Sequence, residues 1–311
     1  MVSLGKVFYT SRVEDTQVDA ASPTRSIKVM VMDIDHRHSL TYQDFAEEYL
    51  FPKKPVVISG ALAGWAALDK WTPDYFKSRY GTKNLTIDGK KYTMAEFIDR
   101  INSSTPDTPA PYLRNAVVEQ FLPELLADIT PEPPYFLPNW LDGKLARVLR
   151  SRLHDGSPEL YIGGRGAKFP FLHFDSYHTH AFLAQVYGFK EYTAFTEDQT
   201  HLIYVHPHQY NASQIPDIEN PDLDKFPLFG EAIPMRFRLH PGEILFIPGG
   251  LWHTAKILTP SISISVNRAN ASNWSTLTHD MCSKAPLPMK PLAAAYLTGI
   301  RAFRTLLGSR T

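Results

Sequence analysis

Residues 241–253 read Pro-Gly-Glu-Ile-Leu-Phe-Ile-Pro-Gly-Gly-Leu-Trp-His, and this stretch decides the fold. A Pro-Gly turn leads into four consecutive apolar residues, which are typical of a short buried strand. A second turn, Pro-Gly-Gly, ends the strand, and His253 follows three residues after Gly250. The segment therefore predicts a turn, a buried strand and a second turn that presents an imidazole.

A second segment, residues 171–176, reads Phe-Leu-His-Phe-Asp-Ser and carries two more side chains that ligate metals. Alternate residues of a strand point to the same face, so His173 and Asp175 are expected on one side. Together with His253 from a later strand they supply two imidazoles and one carboxylate. This set holds three positions on one face of an octahedron, and the open positions suit non-haem Fe(II) that handles a cosubstrate and O₂.

The His-x-Asp triplet carries little weight alone. The chain has 12 His and 32 Asp or Glu among 311 residues, so composition gives about one such triplet by chance. A chance triplet on a half-buried strand is the alternative interpretation. The second segment decides between them, because Gly242, Pro248, Gly250 and His253 are similar in spacing to the second signature of the cupin barrels.

The composition excludes several classes of protein. The 32 basic and 32 acidic residues cancel, which leaves no electrostatic case for binding nucleic acid or an anionic membrane. A single cysteine, Cys282, excludes an intramolecular disulfide framework and fits a reducing compartment. Because the sequence shows no apolar run of transmembrane length and no apolar leader, we expect a soluble, cytoplasmic protein.

The chain divides into three parts. Residues 1–39 lack strong periodicity and are expected to form a loosely ordered arm. Residues 40–270 are expected to form one domain, with helices before a barrel core at about residues 159–267 that contains many short strands. Within it, the polar and proline-rich loop at 206–234 is expected to shape substrate access. Residues 271–311 are expected to be helical.

Local patterns predict individual elements. Thr41 opens a helix, the dipeptide Asp88-Gly89 forms a two-residue hairpin turn, and Thr93 with Glu96 forms a capping box. Short apolar runs predict strands in the second half of the chain, including one over residues 202–205.

Apolar residues recur at helical spacing near the C-terminus. Two interpretations of this helix stay open. It packs on its own barrel, or it joins two copies of the chain as a homodimer. The residues concerned are Leu292, Tyr296, Ile300, Phe303 and Leu307.

Residues 160–267 resemble the catalytic core of the jumonji-C (JmjC), cupin-like 2-oxoglutarate oxygenases, most closely the small hydroxylases typified by the asparaginyl hydroxylase of hypoxia-inducible factor. The resemblance implies a mainly β fold, a double-stranded β-helix or jelly-roll, with helices added before and after the barrel. The phrases that carry it are residues 160–163, 173–175, 184–190, 220–222, 225–227, 241–253 and 263–267.

The resemblance implies roles for particular residues. His173, Asp175 and His253 match the Fe(II) ligands. Lys190 matches the lysine that pairs with the distal carboxylate of 2-oxoglutarate, and such a dicarboxylate needs a cationic partner to offset its desolvation. A solvated lysine on an edge strand is the alternative for Lys190.

Two further residues resemble cosubstrate contacts of the family. Tyr112 resembles a tyrosine whose hydroxyl reaches the distal carboxylate, and Asn267 resembles an asparagine near the other end of the cosubstrate. Core packing would also explain Tyr112, and a strand-end hydrogen bond would explain Asn267. Pro170 is a departure, because many members have a Thr or Ser hydroxyl three residues before the first ligand. Two extra residues between Asp175 and the next strand are a second departure from the small hydroxylases.

The resemblance implies a 2-oxoglutarate-dependent dioxygenase that hydroxylates a C–H bond and releases succinate and CO₂. The expected substrate is a side chain of a protein or peptide, or a small amino-acid-like molecule. Because one cysteine cannot build a zinc-binding chromatin module, hydroxylation is favoured over histone demethylation. Two alternatives remain: a metal-dependent cupin that is an isomerase or a dioxygenase independent of 2-oxoglutarate, and a non-catalytic JmjC-like binding module.

Overall fold

Two large β-sheets and two short two-stranded sheets dominate the computed structural model, which describes residues 11–13, 30–142 and 157–306. The strands are β1 (Ser11–Val13), β2 (Met30–Met32), β3 (Asp35–His38), β4 (Val56–Ser59), β5 (Asn84–Ile87), β6 (Lys90–Thr93), β7 (Leu113–Val117), β8 (Glu159–Gly163), β9 (His180–Tyr187), β10 (Lys190–Phe195), β11 (Val205–His206), β12 (Gln209–Ser213), β13 (Met235–Leu239), β14 (Ile244–Ile247), β15 (Trp252–Ile257) and β16 (Ser261–Arg268).

Helices lie before and after the barrel strands. The α-helices are α1 (Tyr42–Phe45), α2 (Ala67–Lys70), α3 (Pro73–Tyr80), α4 (Met94–Asn102), α5 (Val118–Phe121), α6 (Trp274–Lys284) and α7 (Lys290–Leu306). A π-helical turn, Ala46–Leu50, continues α1, and 3-10 turns cover Pro123–Ile129, Pro134–Phe136, Ser176–His178, Glu197–Leu202, Pro227–Glu231 and Leu287–Met289.

The strand order is that of a jelly-roll. The larger sheet runs β3-β4-β14-β9-β16-β8-β7, and the smaller runs β1-β2-β13-β10-β15. Strands adjacent in sequence, such as β8 and β9 or β9 and β10, are not hydrogen-bonded to each other; β9 and β10 lie in different sheets. The predicted fold class is therefore confirmed, with a mainly β barrel and added helices.

Strand alternation separates an apolar face from a polar one, because successive side chains of a strand point to opposite faces. In β16, Ile262 and Ile264 lie in the main hydrophobic core together with residues of α3 and α4. The serines that alternate with them point the other way, and Ser263 and Ser265 line a cavity inside the barrel. One strand thus builds both the core and the wall of the candidate site.

Most local predictions agree with the structure, and a few do not. Helix α1 is capped by Thr41, the Asp88-Gly89 dipeptide joins β5 to β6, and Thr93 with Glu96 forms the capping box of α4. The strand predicted over residues 202–205 is wrong. A 3-10 turn occupies Glu197–Leu202, because its side chains and backbone bond locally, and only Val205–His206 is extended.

Parts of the predicted division of the chain lie outside the described residues. Within the predicted arm, β3 pairs with β4 and β2 pairs with β13, while most of residues 1–29 is not described. The boundaries of the three parts stay predictions. Among the described residues, no helix has the length and apolar character that crossing a membrane requires.

The C-terminal helix α7 packs against helix α6 with part of its surface. Leu297 and Ile300 are buried in a cluster with Trp274 and Leu277 of α6. Leu292 and Phe303 remain 62% and 45% exposed. The helix therefore packs on its own chain, and the homodimer stays a prediction.

We expect Ile264→Ala to lower the free energy of unfolding by about 2–5 kcal/mol, because Ile264 is fully buried and truncation leaves a cavity. Urea denaturation measures the change. The matched control is Leu287→Ala, at a side chain that is 80% exposed, which should change stability by less than about 0.5 kcal/mol. Equal losses in both variants would contradict the placement of the core.

Candidate active site

The three predicted metal ligands meet at the end of the smaller sheet. His253 lies in β15, and the extended segment that carries His173 runs beside it. The amide of His173 donates to the carbonyl of His253 at 3.0 Å, and the reverse bond measures 2.6 Å. Asp175 follows two residues later, so one potential ligand atom from each of the three residues lies within 4.8 Å of the others.

Backbone carbonyls orient both imidazoles. Nδ1 of His253 lies 3.0 Å from the carbonyl of Leu251, and Nδ1 of His173 lies 3.3 Å from that of Phe171. A carbonyl only accepts, so each Nδ1 carries the proton and each Nε2 keeps its lone pair. Nε2 of His253 is 3.9 Å from Oδ2 of Asp175. The lone pairs and the carboxylate are therefore arranged as a ligand set.

Burial makes this group of side chains fit a divalent cation. Burial, and then the neighbouring His253, lower the pKa of His173 well below its usual value of 6.5, so its imidazole is neutral. Burial also raises the pKa of Asp175. Its Oδ2 is buried and has no hydrogen-bond partner among the described residues. A buried carboxylate oxygen without a partner is costly, and a cation held by two neutral imidazoles would offset that cost.

Lys190 lies deeper in the barrel, at the start of β10. Its side chain is enclosed, with the residue 2% exposed. Nζ donates to the hydroxyl of Tyr112 at 3.0 Å and to that of Ser263 at 2.6 Å. Within the described part of the chain no carboxylate forms an ion pair with it, and burial lowers its pKa from 10.5 to about 7. The position therefore suits an anion that enters the barrel.

Tyr112 reaches Lys190 because β8 leaves room for its ring. A side chain at Gly163 would meet the Tyr112 ring at 2.8 Å and Ile257 at 2.3 Å, so only glycine allows this contact. Burial raises the pKa of Tyr112, so its hydroxyl stays protonated. Tyr112 is thus in contact with the predicted cosubstrate lysine as well as packed in the barrel.

Ser263 is a site residue that the sequence interpretation missed. Pro170 occupies the position where many members have a hydroxyl, and it lines a separate cavity together with Lys168, away from Lys190. The hydroxyl beside Lys190 comes instead from β16. The alternation of Ser and Ile over residues 261–265 was the available signal, since it puts serines on the face opposite the core.

Two adjoining cavities share His173 and Asp175. The inner one, about 540 Å³, reaches Lys190, Tyr112 and Ser263. The outer one, about 1210 Å³, is lined also by Ser176, Tyr177 and the exposed Gln209. An inner cavity for a small molecule and an outer cavity for a larger one therefore meet at His173 and Asp175, and His253 lines the inner one.

Asn267 lies in the wall of the outer cavity and not beside Lys190. Its side-chain amide donates to the Thr179 hydroxyl at 3.2 Å. It also interacts with Asp175, where it opposes the rise in pKa that burial causes. Gln209 and Asn211, from the loop at residues 206–234, line the same cavity. Part of that loop is strand β12, whose Ala212 pairs with His173.

Other histidines near the site have structural contacts. His180 is fully buried, accepts from the amide of Gly249 at 3.0 Å and lies 2.7 Å from the Ser272 hydroxyl, and burial lowers its pKa to about 3. His178 lies 2.7 Å from a carboxylate oxygen of Asp280 in α6. Neither belongs to the cluster of three candidate ligands.

Comparison with known proteins places the chain in a family. A family described as "Cupin-like domain" matches residues 42–269. Lysine-specific demethylase 8 of Danio rerio is 32% identical over 248 residues, which cover 75% of this chain and 57% of the relative. Arginine-specific demethylase JMJ20 of Arabidopsis thaliana is 28% identical over 267 residues, with coverages of 76% and 56%. JmjC domain-containing protein D of Dictyostelium discoideum is 28% identical over 248 residues, with coverages of 71% and 53%.

The chain spans just over half the length of these relatives. Two of them are named demethylases, so the likeness to the asparaginyl hydroxylase is only approximate, while the wider family agrees with the fold and with the group of ligands. The family match includes the three candidate ligands, Lys190 and Asn267. The chain belongs to the JmjC, cupin-like family.

Proposed function

We propose that the protein is a 2-oxoglutarate-dependent dioxygenase that hydroxylates a C–H bond of a protein or peptide side chain. The observation that carries the proposal is the buried ammonium of Lys190, which faces the same cavity as His173, Asp175 and His253. A metal site alone would fit many cupins. A metal site with a buried cation behind it fits a cosubstrate that has two negative groups.

His173, Asp175 and His253 would hold Fe(II) and leave three of its six positions open. With 2-oxoglutarate and O₂, the bound metal supplies the chemistry that puts one oxygen atom into the substrate C–H bond and the other into succinate, with loss of CO₂. The protein orients the ligands through the carbonyls next to each Nδ1, and burial lowers the pKa of His173 so that this imidazole is neutral.

Lys190, Tyr112 and Ser263 would bind the distal carboxylate of 2-oxoglutarate. The ammonium supplies charge, and the two hydroxyls that now contact it can turn their O–H groups toward a carboxylate. Because burial raises the pKa of Tyr112, this group remains a donor. The serine takes the part that Pro170 cannot.

The outer cavity would receive the substrate. It is more than twice as large as the inner one and its lining includes the exposed Gln209, which suits a side chain of a larger molecule. The relatives named lysine- and arginine-specific demethylases support a protein substrate. Hydroxylation of an N-methyl C–H is the oxidative step of such a demethylation, so both outcomes share the proposed reaction. A small amino-acid-like substrate is the second candidate.

The two rival classes of protein would not require the features that this site combines. A metal-dependent cupin of another class, such as an isomerase, has no need of a buried ammonium behind its metal. A non-catalytic binding module has no need to keep the ligands buried and oriented. Turnover of 2-oxoglutarate to succinate by the iron-loaded protein distinguishes the proposed oxygenase from both.

We expect His173→Ala or Asp175→Ala to abolish succinate formation and to weaken Fe(II) binding by more than roughly 100-fold, since even neighbours of a ligand contribute 10–100-fold. Anaerobic metal titration and a succinate assay measure the two effects. His208→Ala, at an exposed histidine of the loop, is the control and should bind and turn over like the parent. Full activity of either ligand variant, supplied with iron, would contradict the assignment of the metal centre.

We expect Lys190→Met to weaken 2-oxoglutarate binding by about two to four orders of magnitude with little change in iron affinity. Removing one partner of a buried ion pair typically costs roughly 3–5 kcal/mol. Ser263→Ala should lose less, about 10–100-fold, because it removes one hydrogen bond to a charged group. Lys190→Arg should recover only part of the affinity. It restores the positive charge, but its wider guanidinium group fits poorly where a compact ammonium binds.

Lys256→Met is the matched control for Lys190→Met. Lys256 lies on the neighbouring strand β15, but its Nζ pairs with Glu219 at 3.0 Å on the outer side of the sheet. It should bind 2-oxoglutarate like the parent. Isothermal titration under anaerobic conditions compares the variants, and unchanged affinity in Lys190→Met would end the assignment of the cosubstrate.

We expect 2-oxoglutarate affinity to fall about tenfold per pH unit above pH 7, because burial holds the pKa of the free Lys190 at about 7 and the anion needs the protonated form. Binding at pH 8 should take up about one proton, which titrations in buffers of different ionisation enthalpy detect. The same lowered pKa predicts that the cosubstrate-free protein gains stability between pH 7 and 10.5, where the unfolded chain binds more protons. Retention of this affinity slope in Lys190→Met would contradict the account.

A further inference from the structure

Residues 175–179 follow an uncommon backbone path directly after the candidate ligand Asp175. Tyr177 has φ 59° and His178 has φ 53°, so two consecutive residues with large side chains adopt the left-handed region. Such residues rarely adopt it, and they persist there only when their surroundings hold them.

Helix α6 holds this path from the C-terminal side of the chain. Oδ2 of Asp280 lies 2.7 Å from Nδ1 of His178, and the carboxylate belongs to a residue only 7% exposed. The side-chain amide of Asn273, which is fully buried, donates to the carbonyl of His178 at 3.0 Å. The ring of His178 is therefore held by α6, and its backbone is held by the residue that directly precedes α6.

A second set of contacts holds Tyr177. Its backbone amide donates to the hydroxyl of Tyr210 at 2.7 Å. Nζ of Lys284, in the last turn of α6, lies 3.1 Å from the centre of the Tyr210 ring and 4.5 Å from that of Tyr177. Burial raises the pKa of the Tyr210 hydroxyl, and Asp280, which also interacts with Tyr210, adds to the rise. Asp280 thus contacts His178 directly and also contacts Tyr210, which binds the amide of Tyr177.

The opposite side of His178 is closed by the turn that precedes β15. A side chain at Gly249 would come within 2.1 Å of the carbonyl oxygen of His178. The residue therefore sits between α6 and the turn that leads to His253. A shift of His178 toward the barrel would meet that turn, and α6 lies against the residue from the other side.

The path connects to the candidate metal centre at two points. The amide of His178 donates to the carbonyl of Asp175 at 3.1 Å, which closes the turn that carries the ligand. Tyr177 and Thr179 line the outer cavity beside Asn267. The position of α6 therefore sets both the backbone that carries Asp175 and one wall of the cavity.

We propose that Asp280 is a positioning residue that acts through His178, so that helix α6 fixes the metal ligand Asp175 and the wall of the substrate cavity. The proposal rests on the metal centre of the proposed function. It gives the C-terminal segment a part in the active site, although no residue of α6 lies among the three candidate ligands.

The first experiment needs no metal. In Asp280→Ala, amide hydrogen exchange of residues 176–179 in the metal-free protein should become at least about tenfold faster, while the strands of the barrel keep their protection. His279→Ala is the matched control, because this neighbour on α6 is exposed. Unchanged exchange of residues 176–179 in Asp280→Ala would overturn the proposal.

The second experiment measures metal affinity with Co(II) as the probe. Asp280→Ala should bind Co(II) on the order of tenfold more weakly than the parent, which is the usual loss when support of a ligand is removed. Asp280→Asn keeps an acceptor for Nδ1–H of His178 and should restore the affinity to within about threefold. In the double variant with His178→Ala the loss should not exceed that of Asp280→Ala, since the two residues act as one unit.

The outcomes separate this proposal from the proposed function. Equal Co(II) affinity in the parent, Asp280→Ala and His279→Ala would overturn the positioning role and leave the oxygenase assignment intact. Co(II) binding that depends on Asp280, without turnover of 2-oxoglutarate in the iron-loaded parent, would support the role and overturn the oxygenase. Failure of the parent to bind Co(II) would overturn both. If Asp280→Ala does not fold, His178→Ala tests the same contact from the other side.

Discussion

One antiparallel residue pair, His173 with His253, holds the candidate site together. Its two backbone hydrogen bonds join the segment before Asp175 to β15 and bring the imidazole rings to 4.4 Å between centres. Ala212 pairs with the other edge of His173, so the segment is part of a continuous ladder. The ligand geometry therefore follows from the barrel itself, because no free loop has to order before a metal binds.

The same enclosure that fixes the ligands leaves polar groups far from water. Asp175 and Lys190 each lie in the barrel with pKa values shifted toward their neutral forms by burial. Native proteins tolerate such groups when a ligand or partner completes them. Lys190 keeps two neutral hydroxyls as neighbours, which satisfy two of its three donors without neutralising its charge. The barrel is therefore built so that its most costly interior groups are those that the chemistry would use.

The sequence predicted the parts of the site that depend on fixed spacing. The turn and strand over residues 241–253 and the His-x-Asp triplet point to the three candidate ligands, since each residue is defined by its distance from a turn or a partner, and the structure brings the three side chains together. Ser263 was missed because its role depends on which strand face meets Lys190, a contact between residues 73 positions apart. The link from Asp280 to His178 spans 102 positions and follows no local pattern.

Charge explains why this site would select a dicarboxylate and not a simpler acid. A metal dication with Asp175 ionised and Lys190 protonated would leave the inner cavity with two positive charges, since an imidazole that ligates a metal is neutral. One carboxylate would leave one of these charges uncompensated inside the barrel, at a large cost in free energy. A dianion with one group at the metal and the other at Lys190 cancels both. The separation of the two cations along the barrel therefore sets the length of the molecule that can bind as well as its charge.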